Sequence, residues 1–220
     1  MAVDSTGFQL THCSAHYRNR PGARDRRGWA KLTTCVDVAT HLILAALATK
    51  GPSYDAPLFG PVVRRAATHV RLGRVLADAG YDAERHHGLC ARLGAEALIA
   101  VNPRGAPRVR SPHRRRARWR LARQPARARY GQRWQVESAF SRQKRRTGDA
   151  LRARGEAAQR TELLLRALTH NLLILLPARL QTFQQSNLTP HTSHVAPRTS
   201  PHPIATSSCA RRILSTVANG

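Results

Sequence analysis

Acidic residues are scarce in this chain: 12 Asp and Glu stand against 37 Lys and Arg, a formal charge of +25 over 220 residues. Such a surface disfavours a basic partner and favours a polyanion, because each phosphate neutralised by a cationic side chain releases condensed counterions. Most of the positive charge is Arg, whose planar fork matches phosphate oxygens. A coding bias toward Arg and Ala accounts for part of the excess but not for so few acids, so nucleic acid is the best partner class. Cysteine is equally sparse. Cys13, Cys35, Cys90 and Cys209 lie far apart with no CxxC pair, which argues against a disulfide framework or a zinc ribbon and fits a reducing, cytoplasmic compartment. His12, Cys13 and His16 are close together, but a second close set at zinc-finger spacing is missing, and a loop or strand end is the better reading. Aromatics make up only 5% of residues, although 41% are hydrophobic, enough for a real core. Long apolar runs are absent. The longest, from Leu163 to Leu176, is interrupted by Arg166, Thr169, His170 and Asn171, so it reads as a buried helix and not a membrane span. The N-terminus lacks a charged-then-apolar signal pattern.

The pattern that remains predicts alternating strands and helices. Ala2 to Leu10 reads as a strand, and residues 11 to 28 as a polar connection. Lys31 to Val38 and His41 to Thr49 read as an antiparallel hairpin turning at Ala39-Thr40. Asp55 is placed to cap a helix running to about Thr68. Val75 to Ala77 is a short strand ending at Asp78, Glu84 to Leu93 a helix stopped by Gly94, and Ala97 to Val101 a further strand closed by Asn102-Pro103. This order implies an α/β architecture, a mixed sheet with helices on its faces. An Arg tract around Arg114-Arg115-Arg116 reads equally well as a solvated basic loop or as a nucleic-acid contact. Helix resumes near Gln124 or Arg127 and runs through Lys144, and another spans Glu156 to Leu176, ended by Pro177. The chain thus divides into a domain over 1–177 and a Ser-, Thr-, Pro- and His-rich tail over 178–220, expected to be disordered.

With so few acids, their positions carry information. Asp4 lies inside the first apolar strand and Asp78 ends another. A carboxylate in a buried strand is costly unless it is paired or holds a metal, although Asp before Gly is also common in turns. Tyr130, Arg133, Glu137 and Lys144 share one helical stretch, their directions within roughly 60° at 100° per residue. That face presents a phenol, a guanidinium, a carboxylate and an ammonium, with Val136 and Phe140 to one side for packing. Singly, each residue also fits a solvated, salt-bridged face.

Taken in order, these words resemble the DDE transposases of the insertion-sequence four and five groups. Val3-Asp4-Ser5-Thr6-Gly7 and Asp78-Ala79-Gly80-Tyr81 are similar to that family's two aspartate motifs. Ile99 to Arg104 is similar to the strand that follows the second, and the Tyr130, Arg133, Glu137, Lys144 spacing to the family's helix signature. The similarity covers about residues 1 to 176. It implies an RNase H-like fold, with Asp4, Asp78 and Glu137 as catalytic, metal-binding carboxylates for two Mg²⁺ or Mn²⁺ ions. Such ions, about 4 Å apart, serve cleavage and strand transfer of DNA. The resemblance further implies DNA contacts from Tyr130, Arg133 and Lys144, DNA ends and target as partners, action as a homodimer, and a nucleoid-associated location away from membranes. The family carries a sizeable region before its first aspartate motif, whereas Asp4 is the fourth residue here, so a truncated copy is expected. A non-catalytic basic nucleic-acid-binding protein and an inactive remnant are the alternatives.

Overall fold

A computed structural model describes residues 1–10, 28–102 and 111–187, with side chains through 176. The expected ligand-like trio of His12, Cys13 and His16 falls outside these residues, as do Cys209 and 188–220, most of the expected tail.

Five strands form one mixed sheet in the order β3-β2-β1-β4-β5. β1 (Ala2–Gln9), β2 (Trp29–Val36) and β3 (Ile43–Lys50) make an antiparallel meander. The β2–β3 turn is narrow because Asp37 accepts hydrogen bonds from both the backbone N–H (2.9 Å) and the hydroxyl (2.6 Å) of Thr40. β4 (Arg74–Ala77) then pairs parallel to β1, and β5 (Glu96–Ile99) parallel to β4. Parallel neighbours need crossovers. These are α1 (Ala56–His69) before β4 and α2 (Glu84–Arg92) before β5. The result is a mixed five-stranded sheet flanked by helices, the α/β layering expected from the sequence.

Alternation along the strands sorts side chains to two faces. Val3, Cys35, Val75, Ala77, Ala97 and Ile99 face α1 and α2, meeting Phe59, Val62, Val63 and Ala66 of α1. Those four recur at i, i+3, i+4 and i+7, the stripe of a half-buried helix. Each such apolar side chain larger than alanine stabilises the fold by about 1.5–3 kcal/mol on full burial. The opposite face carries Ala2, Val36, Leu76 and Leu98 against the later helices. These are α3 (Pro112–Leu121), α4 (Ala126–Gly131), α5 (Trp134–Thr147) and α6 (Glu156–Asn187).

The structure differs from the sequence reading in several elements. Asp55 begins α1, but its side chain does not cap the helix; its carboxylate accepts from the buried Lys31 Nζ at 2.6 Å instead. The Arg tract forms α3 rather than a loop. The helix expected through Lys144 breaks at Gln132–Arg133, separating α4 from α5. Finally, α6 continues past Pro177 to Asn187. Arg166, His170 and Asn171, which interrupt its apolar run, are docking groups. Thr169 and Leu164, Leu165, Leu168, Leu172, Leu173 and Leu176 are exposed, so the helix expected to be buried is only half-buried. Asn171 donates to the carbonyl of Ile43 and accepts from its N–H, both at 2.8 Å, completing an outer β3 edge. Buried Arg166 donates to the carbonyls of Gly148 (2.7 Å) and Ala150 (2.6 Å). Among the described residues no helix is long and apolar enough to cross a membrane.

Candidate active site

The register of the central strands brings the two aspartates together. Ala2 pairs with Leu76 in the parallel β1–β4 ladder. Two residues further along each chain come Asp4 and Asp78, so both extend toward the face shared by Ala2 and Leu76. Asp78 remains extended and begins a short 3-10 turn (Ala79–Tyr81), accepting from the N–H of Gly80 at 3.0 Å.

α5 lies over that same face. Val136, Ala139, Phe140 and Gln143 are buried along its inner stripe, which leaves Glu137 on the flank one residue away from Val136. Gly148 ends the helix with φ +85°, a left-handed conformation suited to glycine, and its N–H caps the carbonyl of Lys144 at 2.8 Å. The helix break places Arg133 at the start of α5, where its guanidinium spans two carboxylates. Nη1 donates to Asp4 at 3.2 Å, and Nη2 donates to Glu137. Asp4 and Glu137 are thereby joined through one cation, which lies 129 positions from Asp4 in the chain.

Burial pushes the Asp4 carboxyl up to about 6. The hydrogen bond from Ser5 N–H and the charge of Arg133 offset this only in part, while the neighbouring Asp78 and Glu137 charges push it further up. Asp4 is thus a carboxylate whose surroundings hold less positive charge than it needs. Its Oδ1 accepts from Ser5 N–H at 2.8 Å. The Ser5 hydroxyl lies 2.8 Å from that of Thr33 and 3.0 Å from that of Tyr81, a buttress behind the acid. Ser5 and Tyr81 were not singled out as site residues, although both sit inside the aspartate motif words, which was their only signal.

An open cleft of about 720 Å³ runs beside the acids, lined by Asp4, Thr6, Glu137, Ser141, Lys144 and Arg145 among others. Lys144 Nζ stands 5.2 Å from the Phe8 ring centroid. Asp78, Tyr130 and Arg133 are not part of that lining. Tyr130 is half-buried on α4, and burial pushes its phenol above the ordinary value, with Arg133 pulling the other way.

The donor set suits a hard divalent cation: carboxylate oxygens, one with a raised pKa, and two already sharing a cationic guanidinium. Among the described residues, however, no three His, Cys, Asp or Glu side chains close to ligating distance. Arg133 stands where positive charge is wanted.

The sequence profile of a family described as "Transposase DDE domain" matches residues 1–172. Among solved structures, the chain is similar to the catalytic core domain of BIV integrase in crystal form I. That likeness has 12% identity over 73% of this chain and 93% of the other, with a TM-score of 0.28.

Proposed function

The chain belongs to the transposase DDE domain family, and from that membership we propose that it catalyses metal-dependent cleavage and strand transfer of DNA at the cleft beside Asp4 and Glu137. The observation that carries this reading is the Arg133 bridge, which gathers acids from the first strand and a late helix onto one cation. Asp78 is included because it follows the Ala2–Leu76 pair of the β1–β4 ladder by two residues, as Asp4 does. On this reading, Asp4, Asp78 and Glu137 hold magnesium or manganese, two ions by family likeness. Bound there, the metal supplies Lewis acidity that activates the attacking oxygen and stabilises the leaving one.

The protein's own groups do the remaining work. Arg133 neutralises Asp4 and Glu137, and its guanidinium fork would pair equally well with a DNA phosphate. Lys144, on the wall of the cleft, meets the backbone near the scissile bond. Tyr130 positions the strand. Ser5, backed by Thr33 and Tyr81, holds Asp4 in one orientation. DNA ends and target are the partners, and a homodimer is the acting form by family likeness.

Three variants, Asp4→Asn, Asp78→Asn and Glu137→Gln, test this in a strand-cleavage and strand-transfer assay with Mn²⁺. Each is expected to lower the rate by roughly a thousandfold, the scale of losing several kcal/mol of transition-state charge stabilisation. Parent-like cleavage by the triple variant would sink the assignment. A non-catalytic nucleic-acid-binding reading is favoured by one observation, the lack of a closed three-ligand set among the described residues. It predicts that Mg²⁺ leaves the melting temperature of the parent chain unchanged.

A further inference from the structure

The second feature the molecule builds with care is the Arg helix α3. No acidic residue occurs between Glu96 and Glu137, a stretch that holds twelve arginines. A helix so charged repels itself, yet it is firmly anchored. The Glu84 carboxylate accepts from the backbone N–H groups of His113 and Arg114, both at 3.0 Å, capping the helix start. Arg114 turns inward, donating from Nε (2.9 Å) and Nη2 (2.5 Å) to the fully buried Asp82. Ala117 is buried and Leu121 packs against the core on the same side. Two of the chain's 12 acids therefore fix the rotation of this one helix.

That rotation determines what faces out. At 100° per residue, Arg115, Arg116, Trp119 and Arg120 of α3 point away from Arg114, Ala117 and Leu121; Arg123 follows two residues past the helix end, and all five are exposed. Trp119 is 60% exposed, a broad aromatic face left in solvent among cations. The Arg123 guanidinium stacks over its indole, 3.3 Å from the ring centroid. The stack holds the ring in place while its remaining surface meets solvent. None of these residues lines the cleft that carries Asp4 and Glu137.

We propose that the outward face of α3, with Trp119 held by Arg123 among Arg115, Arg116 and Arg120, is a second nucleic-acid site that binds single-stranded DNA. The arginines follow the phosphate backbone, and the indole stacks on a base. Inside a duplex both flat faces of a base are covered by its stacked neighbours, so an aromatic set among cations favours a single strand over a duplex. The choice of DNA over RNA rests on the proposed transposase reading; the single-strand preference does not.

Fluorescence anisotropy in metal-free buffer tests this with the full chain and a labelled oligonucleotide of roughly 16 nucleotides, within the site sizes such surfaces cover. The arms are the single-stranded DNA, its blunt duplex and an RNA of the same sequence. Trp119→Ala is expected to weaken single-strand binding about tenfold and leave blunt-duplex binding within about twofold of the parent. Replacing Arg115, Arg116 and Arg120 together by Gln is expected to lower the salt dependence by about 0.7 in log–log slope for each lost phosphate contact. A Trp119→Ala chain that melts like the parent and binds the single strand equally well overturns the proposal, as does an unchanged slope in the triple variant. Tighter binding of the RNA overturns the DNA assignment. Because these measurements need neither metal nor cleavage, an inactive Asp4→Asn chain that keeps Trp119-dependent binding separates this site from the catalytic one.

Discussion

Two arginine–carboxylate clusters in this protein use the same chemistry to opposite ends. Asp82 is fully buried, and donors surround it: Arg114 twice, the N–H of Asn102 at 3.0 Å and His87 Nε2 at 3.1 Å. Burial alone pushes the Asp82 carboxyl up, but those hydrogen bonds outweigh it and hold the group below its ordinary value. Asp4 is less buried, with its side chain 20% exposed, yet its carboxyl is pushed up to about 6. One guanidinium is shared between it and Glu137, and Asp78 adds a like charge. The lesson is that depth of burial does not separate a structural acid from a functional one. The balance of donors against desolvation and like charges does.

The sharpest way to break the comparison is to remove the satisfied acid. Asp82→Ala leaves Arg114, His87 and the Asn102 N–H facing an apolar gap. It is expected to cost about 3 kcal/mol of stability, the scale of stranding one member of a buried pair. Urea unfolding measures it, and a loss well under 1 kcal/mol would mean that the cluster is not the anchor of α3.

Asp4→Asn should move stability the other way. The folded-state pKa of Asp4 lies above its unfolded value of 3.8, so the native fold favours the protonated acid. The parent chain is therefore relatively most stable below about pH 4 and loses that advantage as pH rises toward 6. Above pH 6 the variant is expected to be more stable by roughly 1–3 kcal/mol, the upper bound being two pKa units at 1.36 kcal/mol each. Melting curves at pH 4 and pH 7 should show the gap opening with pH. A constant gap would show that burial does not strain Asp4. Added Mg²⁺ should raise the melting temperature of the parent and not that of the variant.

Glu137→Gln completes the series with the smallest effect on stability. The Glu137 side chain is 54% exposed, and an exposed pair with arginine contributes about 0–1 kcal/mol. Its melting temperature should match the parent's within error while its cleavage is lost. A large destabilisation would make Glu137 a structural residue instead.

How much of this was legible in the sequence depends on the range of the interaction involved. The strands, the crossover helices and the inner stripe of α5 follow from local periodicity, and they were read within a few residues. Asp4, Asp78 and Glu137 stood out because acids are so rare here. Less visible were features decided by partners far along the chain. Lys31, in β2, takes the Asp55 carboxylate away from its expected capping role. The His170–Asn171 pair looked like an interruption of an apolar helix. In the fold it is the group that completes β3, with Asn171 bonded to Ile43 and His170 Nε2 lying 3.0 Å from the carbonyl of His41. Arg114 looked like one arginine among many until Asp82 singled it out.

The sequence by itself determined that this chain is a cationic α/β domain with three of its scarce acids inside a strand (Asp4), at a strand end (Asp78) and on a helix face (Glu137), since composition and period act within a few residues. Only the tertiary structure decided which arginine neutralises which acid, and so which carboxylates are satisfied and which still lack positive charge. The physical reason is that a pKa and an ion pair depend on distance in space, and neighbours 32 or 129 positions apart are brought together by packing alone.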